Sequence, residues 1–286
     1  MKTAVQLVGS MYPCQNVPMV VFGKRCPTPC LYCGLYKYQF PAEKIIAEGK
    51  EKVIEEMSKH KSTYFAPVTD CFLPENSDLT HNLLEETWKL NQLWTPLVNT
   101  KQIIPGKTKN LIIANKHRLV LQISVPSVDE EIISILEPGS APIPERLEMI
   151  KRLTLARVPV IVVVMPWFDL GNAEDLAEKI SSTGVLRSII SNGILTKETK
   201  NRMLNSGNQQ LIQVAESVCF SKEATEKGLV IPREQRIESL TKLINAFKNF
   251  GVKVRVCISD NHDLGDSGLP LCGEFKHHNF KRKEER

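Results

Sequence analysis

Short apolar runs alternate with longer amphipathic segments along this chain, and that alternation constrains the fold more than any other feature. Most of the runs are rich in Val and Ile, as parallel strands buried on both faces are. The seven runs cover residues 19–22, 63–68, 96–99, 119–125, 159–165, 185–190 and 252–257. Repeated strand–helix units predict a parallel sheet with right-handed crossovers. We therefore predict an α/β fold, a partial (β/α)6-type TIM-like barrel.

The segments between the runs have the apolar spacing of helices that pack on one face. They cover residues 42–60, 78–93, 144–156 and 232–250. Asp78 is the expected N-cap of the second helix, and a proline lies near the first turn of each of the last two. In barrels of this kind the chemistry lies at the carboxyl ends of the strands. Functional residues are therefore expected in the loops after residues 22, 68, 99, 125, 165 and 190.

The length of 286 residues suffices for one large barrel domain. We predict that the barrel core covers residues 1–260 and that residues 261–286 form a C-terminal extension, a loop followed by a basic tail. The stretch 191–229 matches neither a strand nor a helix pattern well and is a candidate insertion within the core.

Composition indicates an ordinary soluble protein. No apolar run approaches the ~20 residues that a membrane-spanning helix needs, and the first ten residues are too weakly apolar for a secretory signal. We therefore expect a cytoplasmic protein. The net charge of +5 permits an anionic partner without requiring one. In a reducing compartment the eight cysteines are expected to be thiols or metal ligands and not disulfides.

Three of these cysteines, Cys26, Cys30 and Cys33, crowd into eight residues directly after the first predicted strand. Their spacing is C-x3-C-x2-C, and two prolines stiffen the loop. A closed four-iron cluster needs four cysteine ligands, and no fourth cysteine follows at close spacing. Three ligands would leave one iron open to a small molecule. Structural zinc is the alternative, but it usually takes paired Cys or His arms, and the sequence offers no second pair.

This motif resembles that of the radical S-adenosylmethionine (SAM) superfamily, in which C-x3-C-x2-C follows the first strand of a partial barrel. Tyr32 stands where that superfamily often has an aromatic residue between the last two cysteines. Further stretches resemble the branch that includes spore photoproduct lyase, and together they span roughly residues 20–170. They are residues 67–74, 79–81, 98–101, 122–129, 136–139 and 142–147. The expected barrel is therefore of the radical SAM kind.

The resemblance implies a SAM site at the strand ends. SAM would chelate the open iron of a 4Fe–4S cluster through its amine and carboxylate. Thr69 and Asp70 would approach the amine, Lys101 would meet the carboxylate, and Ser124 would reach the carboxylate or the ribose. The charges match, because a carboxylate suits an ammonium and a lysine suits a carboxylate. Each residue also has a plainer interpretation: Asp70 as the cap of a turn, for example, and Lys101 as a surface charge.

Cys71 is the candidate catalytic residue. It follows the second predicted strand, so we expect it to face the barrel mouth, as a hydrogen-atom donor, a further metal ligand or a packing residue. The resemblance departs from spore photoproduct lyase at Gly34, where an aromatic residue is expected, and at Ala66 and Pro67, near the position of its donor cysteine. Repair of DNA photoproducts is therefore not expected to carry over directly.

Cys257 and Cys272 flank a stretch rich in turn residues and acids. Cys257 ends a predicted strand and suits the core, whereas Cys272 lies in a loop that could reach the barrel mouth. The sequence assigns neither residue a role.

The resemblance implies an enzyme that cleaves SAM reductively and abstracts a hydrogen atom from a substrate, with a nucleic-acid base as one candidate. It further implies an external electron donor of the flavodoxin or ferredoxin type. One alternative is the same chemistry on a peptide or small metabolite. Another is a non-catalytic binding protein whose metal serves as a scaffold.

Overall fold

The structure is a computed structural model that describes residues 5–8, 17–22, 26–33, 49–65, 68–221 and 228–272. The described strands are β1 (Val5–Val8), β2 (Met19–Phe22), β3 (Tyr64–Phe65), β4 (Leu97–Thr100), β5 (Val120–Ser124), β6 (Val160–Val164), β7 (Arg187–Ile190), β8 (Cys219–Phe220), β9 (Leu229–Val230) and β10 (Lys253–Val256). The described helices are α1 (Lys50–Ser58), α2 (Pro74–Leu90), α3 (Gly106–Ala114), α4 (Glu130–Leu136), α5 (Ile143–Leu155), α6 (Ala173–Ser181), α7 (Lys197–Leu204), α8 (Gln209–Ser217) and α9 (Arg233–Asn249).

One sheet organises the molecule, with strand order β1-β2-β3-β4-β5-β6-β7-β10. Strands β2 to β7 and β10 are parallel to their neighbours, while β1 pairs antiparallel with β2 at one edge. The parallel strands follow one another without the reversal of order that defines a doubly wound sheet. Because each right-handed crossover then places its helix on the same face, the sheet has the topology of a barrel. It is not closed, so the expected α/β partial barrel is confirmed.

The two faces of the sheet have different cores. On the inner face a small apolar layer takes one residue from each of six strands: Met19, Tyr64, Leu97, Val120, Ile161 and Ile189. On the helix side a much larger cluster packs strand residues such as Phe22, Phe65 and Val162 against α1, α2, α5, α6 and α9. All seven apolar runs form strands, as predicted.

The observed helix starts agree with the predicted ones at two helices and differ at a third. Helices α5 and α9 begin directly after their N-cap residues, Pro142 and Pro232. Pro144 lies in the first turn of α5, as predicted, and Pro232 directly precedes α9. The expected N-cap Asp78 is wrong, because α2 already begins at Pro74 and Asp78 lies inside it. The proline ring pre-sets the backbone for the first helical position. Residues 42–48 of the first predicted helix lie outside the described residues.

The stretch 191–229, the candidate insertion, contributes α7, α8 and a short antiparallel pair, β8 with β9. None of its described residues forms a strand of the main sheet, in which β7 pairs directly with β10. A second apolar cluster packs Met203 and Leu211 of this stretch together with Leu136 of α4 and with Leu31 and Tyr32. The domain boundary at residue 260 stays a prediction. Within the described ranges, no helix combines the length and apolar character needed to cross a membrane.

Candidate functional site

The cysteine loop, residues 26–33, follows β2 and carries all three thiols of the motif. The Cys33 amide donates to the Cys30 carbonyl at 3.0 Å, which closes a tight turn, and the Leu31 amide donates to the Leu136 carbonyl of α4 at 2.8 Å. Cys30 is buried, whereas Cys26 and Cys33 are half-buried. The turn and the hydrogen bond to Leu136 together fix the loop against α4. The three sulfurs therefore lie on one short, stiff segment.

Gly139 allows the next loop to approach the cysteine loop closely. Its φ of +82° is a conformation that side chains disfavour, and a Cβ there would lie 3.0 Å from the Thr28 methyl carbon. The Gly139 carbonyl also accepts a hydrogen bond from the Gln102 side chain at 2.9 Å. The motif Leu136-Glu-Pro-Gly139 therefore has a physical reason: it brings Glu137 up to the cysteine loop.

Arg202 of α7 holds the cysteine loop from the other side. Its Nη1 donates to the Cys30 carbonyl at 3.0 Å and its Nη2 to the Cys33 carbonyl at 2.7 Å. A planar guanidinium can make two such bonds at once. Sequence analysis assigned this residue no role, because it belongs to the stretch that matched no strand or helix pattern.

Lys101, at the end of β4, lies beside the cysteine loop as predicted for a strand-end residue. Its ammonium contacts the Tyr32 hydroxyl, the Glu137 carboxylate at 3.1 Å and the Cys30 sulfur at 3.7 Å. It also lies 4.6 Å from the centre of the Tyr32 ring, a cation–π distance. Burial lowers the pKa of Lys101, but Glu137 and Tyr32 outweigh this and hold it well above its usual value. Lys101 is therefore a charged lysine next to the buried thiol.

Glu137 links Lys101 to a second cation, Arg146. Its side chain is fully buried; one oxygen faces Lys101 and Tyr32, and the other accepts from Arg146 at 2.7 Å. Arg146, also fully buried, donates in addition to the Ser124 carbonyl at the end of β5. Burial raises the pKa of Glu137, yet the two cations more than offset this and hold it at about 2. Glu137 and Arg146 lie in the stretches 136–139 and 142–147, which resemble spore photoproduct lyase, but the sequence alone gives neither residue a role.

Asp70 holds the end of β4 in place. Its carboxylate accepts from the Lys101 amide at 2.6 Å, the Phe72 amide at 2.9 Å and the Thr100 hydroxyl at 2.8 Å. Burial raises the pKa of Asp70, and these hydrogen bonds oppose the rise. The plainer interpretation of Asp70 as a turn-capping residue thus describes its contacts, and through the Lys101 backbone it also positions that lysine.

Thr69 and Ser124, the other two predicted SAM contacts, are both buried. The Thr69 hydroxyl has no hydrogen-bond partner among the described residues. Ser124 joins the site through its backbone carbonyl, which accepts from Arg146.

The expected position of Cys71 is wrong. Its side chain is 0% exposed and belongs to the large core between sheet and helices, with Phe72, Leu84 and Trp88. Burial raises the pKa of its thiol well above the usual value, and its sulfur faces the Asn99 carbonyl at 3.8 Å. Among the described residues, the Cys71 thiol is therefore packed in the core on the helix side of the sheet. Three residues at which the sequence departs from spore photoproduct lyase lie outside the described residues: Gly34, Ala66 and Pro67.

The geometry brings Cys30, Tyr32 and Lys101 together and adds Glu137, Arg146 and Arg202. In the portion of the chain that the structure describes, no three His, Cys, Asp or Glu side chains are arranged to bind a single metal ion. The site offers three thiols on one loop, with a charged lysine 3.7 Å from the buried one.

No family model matches the chain. Among curated proteins, the uncharacterized protein ORF301 of Acidianus two-tailed virus is 23% identical over 215 residues, which is 75% of this chain and 67% of that protein.

Solved structures give a broader likeness. A spore photoproduct lyase mutant superposes with a TM-score of 0.64 at 15% identity, covering 87% of this chain and 78% of that one. Another mutant, with bound AdoMet and dinucleoside spore photoproduct, has a TM-score of 0.60 at 14% identity and the same coverage. Streptococcus suis SuiB bound to its precursor peptide SuiA has a TM-score of 0.51 at 12% identity, covering 82% of this chain and 46% of that one. The resemblance found in the sequence is therefore confirmed at the level of the fold, which is that of spore photoproduct lyase.

Proposed function

We propose that the chain is a radical SAM enzyme whose 4Fe–4S cluster is held by Cys26, Cys30 and Cys33. The observation that carries this proposal is the convergence of a three-cysteine loop with Lys101 at the carboxyl edge of a partial barrel. The donor set fits: three thiols can bind three irons of such a cluster and leave the fourth for SAM. When bound, the cluster supplies the electron that cleaves SAM to methionine and a 5′-deoxyadenosyl radical, which abstracts a hydrogen atom from the substrate.

The chain's own residues would then orient SAM. An ammonium has three protons to donate. The ammonium of Lys101 contacts the Tyr32 hydroxyl, the Glu137 carboxylate and the Cys30 sulfur. We assign it to the SAM carboxylate, which would take the place beside Cys30 once that thiol binds iron. Glu137 keeps Lys101 charged. The buried hydroxyl of Thr69, which lacks a partner among the described residues, is the group we assign to the SAM amine.

Shielding from water is the second task of the protein. Leu31 and Tyr32 of the cysteine loop pack into the apolar cluster formed by α4, α7 and α8. We assign this cluster the role of a cover over one side of the cysteine loop, which excludes water from the thiols. The proposed iron–sulfur cluster would need an external one-electron donor. A flavodoxin or a ferredoxin is the expected class of donor.

For the substrate, we propose a nucleic-acid base. The support is the likeness to spore photoproduct lyase over 87% of this chain, since one of its structures holds a dinucleoside photoproduct. A peptide substrate is the alternative, because SuiB was solved with a precursor peptide, although this chain spans only 46% of that protein.

The test begins with anaerobic reconstitution of the full chain with iron and sulfide. We expect about four irons per chain and formation of 5′-deoxyadenosine from SAM after reduction with dithionite. Alanine variants of Cys26, Cys30 and Cys33 should each lose most of the iron and all SAM cleavage. Cys219→Ala, which removes an exposed cysteine outside the loop, is the matched control and should behave as the parent chain.

Two outcomes would contradict the proposal in different ways. Full iron content in any one of the three loop variants would remove that residue from the ligand set. A stable cluster without any SAM cleavage would favour the non-catalytic, metal-scaffolded binding protein.

A further inference from the structure

Cys257 and Cys272 lie side by side where the segment before Cys272 pairs with β10. The segment before Cys272 extends the sheet: Leu271 pairs in parallel with Val256, the Cys272 amide donates to the Val256 carbonyl at 2.8 Å, and the Val256 amide donates to the Pro270 carbonyl at 3.0 Å. Cys257 and Cys272 are the next residues on these two strands. They come from chain positions on either side of a turn-rich stretch, yet they are cross-strand neighbours.

The two sulfurs are close enough to react with each other. Adjacent strands lie about 4.8 Å apart, and a disulfide needs Cα atoms roughly 4.4–6.8 Å apart. The Ile258 amide donates to the Cys272 sulfur at 3.2 Å, so the thiol is held next to the residue that follows Cys257.

The Cys272 thiol is more acidic than an ordinary cysteine. The hydrogen bond from Cys257 lowers its pKa to about 7, with help from the Ile258 amide, while burial and the Asp260 carboxylate oppose this. A thiolate, which is the nucleophile in disulfide exchange, is therefore available on Cys272 at neutral pH.

A basic cavity leads to this pair. It has a volume of about 560 Å³ and is lined by Cys272 and by four cations, Arg187, Lys248, Lys253 and Arg255. No carboxylate is among the described residues that line it. Cavities of this size hold small molecules, and these cations favour an anionic one.

We propose that Cys257 and Cys272 form a redox-active dithiol that reacts with small anionic organic disulfides and closes as an intramolecular disulfide. The site is independent of the radical chemistry proposed above, because neither cysteine belongs to the cysteine loop.

The reaction has two exchange steps. First, the Cys272 thiolate attacks one sulfur of the small disulfide; its S–S bond breaks, a mixed disulfide forms on Cys272, and one small thiolate leaves. Second, the Cys257 thiol gives its proton to solvent, its sulfur attacks that of Cys272, and the second small thiolate leaves. Two cysteine thiols are oxidised to one disulfide, and one small disulfide is reduced to two thiols. The two protons released from the cysteines are taken up by the departing thiolates.

Oxidised glutathione is the probe, since it is a small disulfide that carries carboxylates. The full chain, purified anaerobically with its metal, would be treated with it, quenched with acid, digested and analysed by mass spectrometry. We expect a peptide that joins Cys257 to Cys272. In Cys257→Ser the second step is blocked, so a stable glutathione adduct should accumulate on Cys272. In Cys272→Ser neither product should form. Cys219→Ser is the control and should leave the cross-link unchanged.

The opposite pattern would overturn the proposal: glutathione on Cys272 of the parent chain without a cross-link, or no more modification of Cys272 than of the buried Cys71. The cavity has its own test. Arg255→Glu should slow exchange with oxidised glutathione severalfold more than exchange with uncharged hydroxyethyl disulfide. If Arg255→Glu slowed exchange with both reagents by the same factor, the cations would not select the disulfide by its charge.

Discussion

Two arginines are buried in the same way at the starts of two helices, but only one of them borders the candidate site. Arg146 follows the N-cap proline of α5 by four residues, and Arg236 follows that of α9 by four. Each donates from Nε to the carbonyl that precedes its proline, at 2.7 Å for Arg146 and 2.9 Å for Arg236. We call each of these arrangements an arginine clamp.

The clamps differ in what surrounds their carboxylates. Asp263 forms its ion pair with Arg236, and no other Lys or Arg side chain of the described chain forms one with it. Glu137 pairs with Arg146 and also with Lys101 and the Tyr32 hydroxyl. The α9 clamp shows that one carboxylate is enough to hold such a helix start. Lys101 and Tyr32 are therefore more than packing requires, which is why we assign them to chemistry.

Breaking the clamps should have the largest effect on stability. Glu137→Gln and Asp263→Asn each leave a buried arginine without its counter-charge, which costs about 3–5 kcal/mol. Glu137→Gln should cost more, because Lys101 loses its partner too. Urea unfolding would measure both variants. If only Glu137→Gln destabilised the chain, the α9 clamp would not be structurally equivalent.

Acid should weaken both clamps. The folded-state pKa values of Glu137, about 2, and of Asp263 lie below their unfolded values. Each carboxylate therefore stabilises the fold above pH ~4 and loses that contribution as the pH falls toward its folded pKa. For Glu137 the contribution is about 3 kcal/mol. The free energy of unfolding of Glu137→Gln should fall less steeply between about pH 4.5 and 2 than that of the parent chain. Equal slopes would mean that Glu137 is not ionised in the folded state.

Lys101→Met should separate function from packing at the α5 clamp. Glu137 keeps Arg146, so stability should change little, while SAM binding loses a charge partner worth roughly 1.5–3 kcal/mol, about ten- to a hundredfold in affinity. Equilibrium dialysis with the reconstituted chain would measure this. Lys242→Met, which removes an exposed lysine paired with Asp169, is the control. Unchanged SAM affinity in Lys101→Met would leave Lys101 as a structural residue only.

Arg202 extends the comparison to a third arginine, whose guanidinium holds two backbone carbonyls of the cysteine loop. Arg202→Leu should weaken iron retention about tenfold, as other outer-shell changes do, and should lower the cluster's reduction potential because a nearby positive charge is lost. Arg202→Lys keeps the positive charge but cannot make both hydrogen bonds in one plane. It should therefore restore the reduction potential of the cluster more fully than it restores iron retention. Lys200→Leu, on the same helix but bonded to the Val218 carbonyl, should change neither.

Sequence predicted the fold well because its signals are local. Each Val- and Ile-rich run became a strand, and Pro144 and Pro232 lie at the starts of α5 and α9, where the sequence placed them. The edge strand β1 was missed, since its four residues pair with a single described strand, β2, and are too few to show a periodic pattern.

The candidate site was predicted only in part. Lys101 follows the last residue of β4, a strand end that the sequence pattern located, and its role toward SAM stays a prediction. Glu137, Arg146 and Arg202 were missed as members of the site because their roles depend on contacts between distant segments. Cys71 was misplaced for a related reason: a position just after a strand does not reveal which face of the sheet a side chain joins.

The bond between Arg202 and the cysteine loop also has a consequence for the order of events during synthesis. Its two partners are 172 residues apart in the chain. At about 5–20 residues per second, α7 follows the cysteine loop from the ribosome by roughly 9–34 s. Throughout that interval the cysteine loop lacks both its hydrogen bonds from Arg202 and the apolar side chains of α7 and α8 that pack beside it. If the proposed cluster forms, its stable loading is thus expected only after most of the chain has been made, and a chain that stops before α7 should bind iron poorly although it contains all three cysteines of the loop.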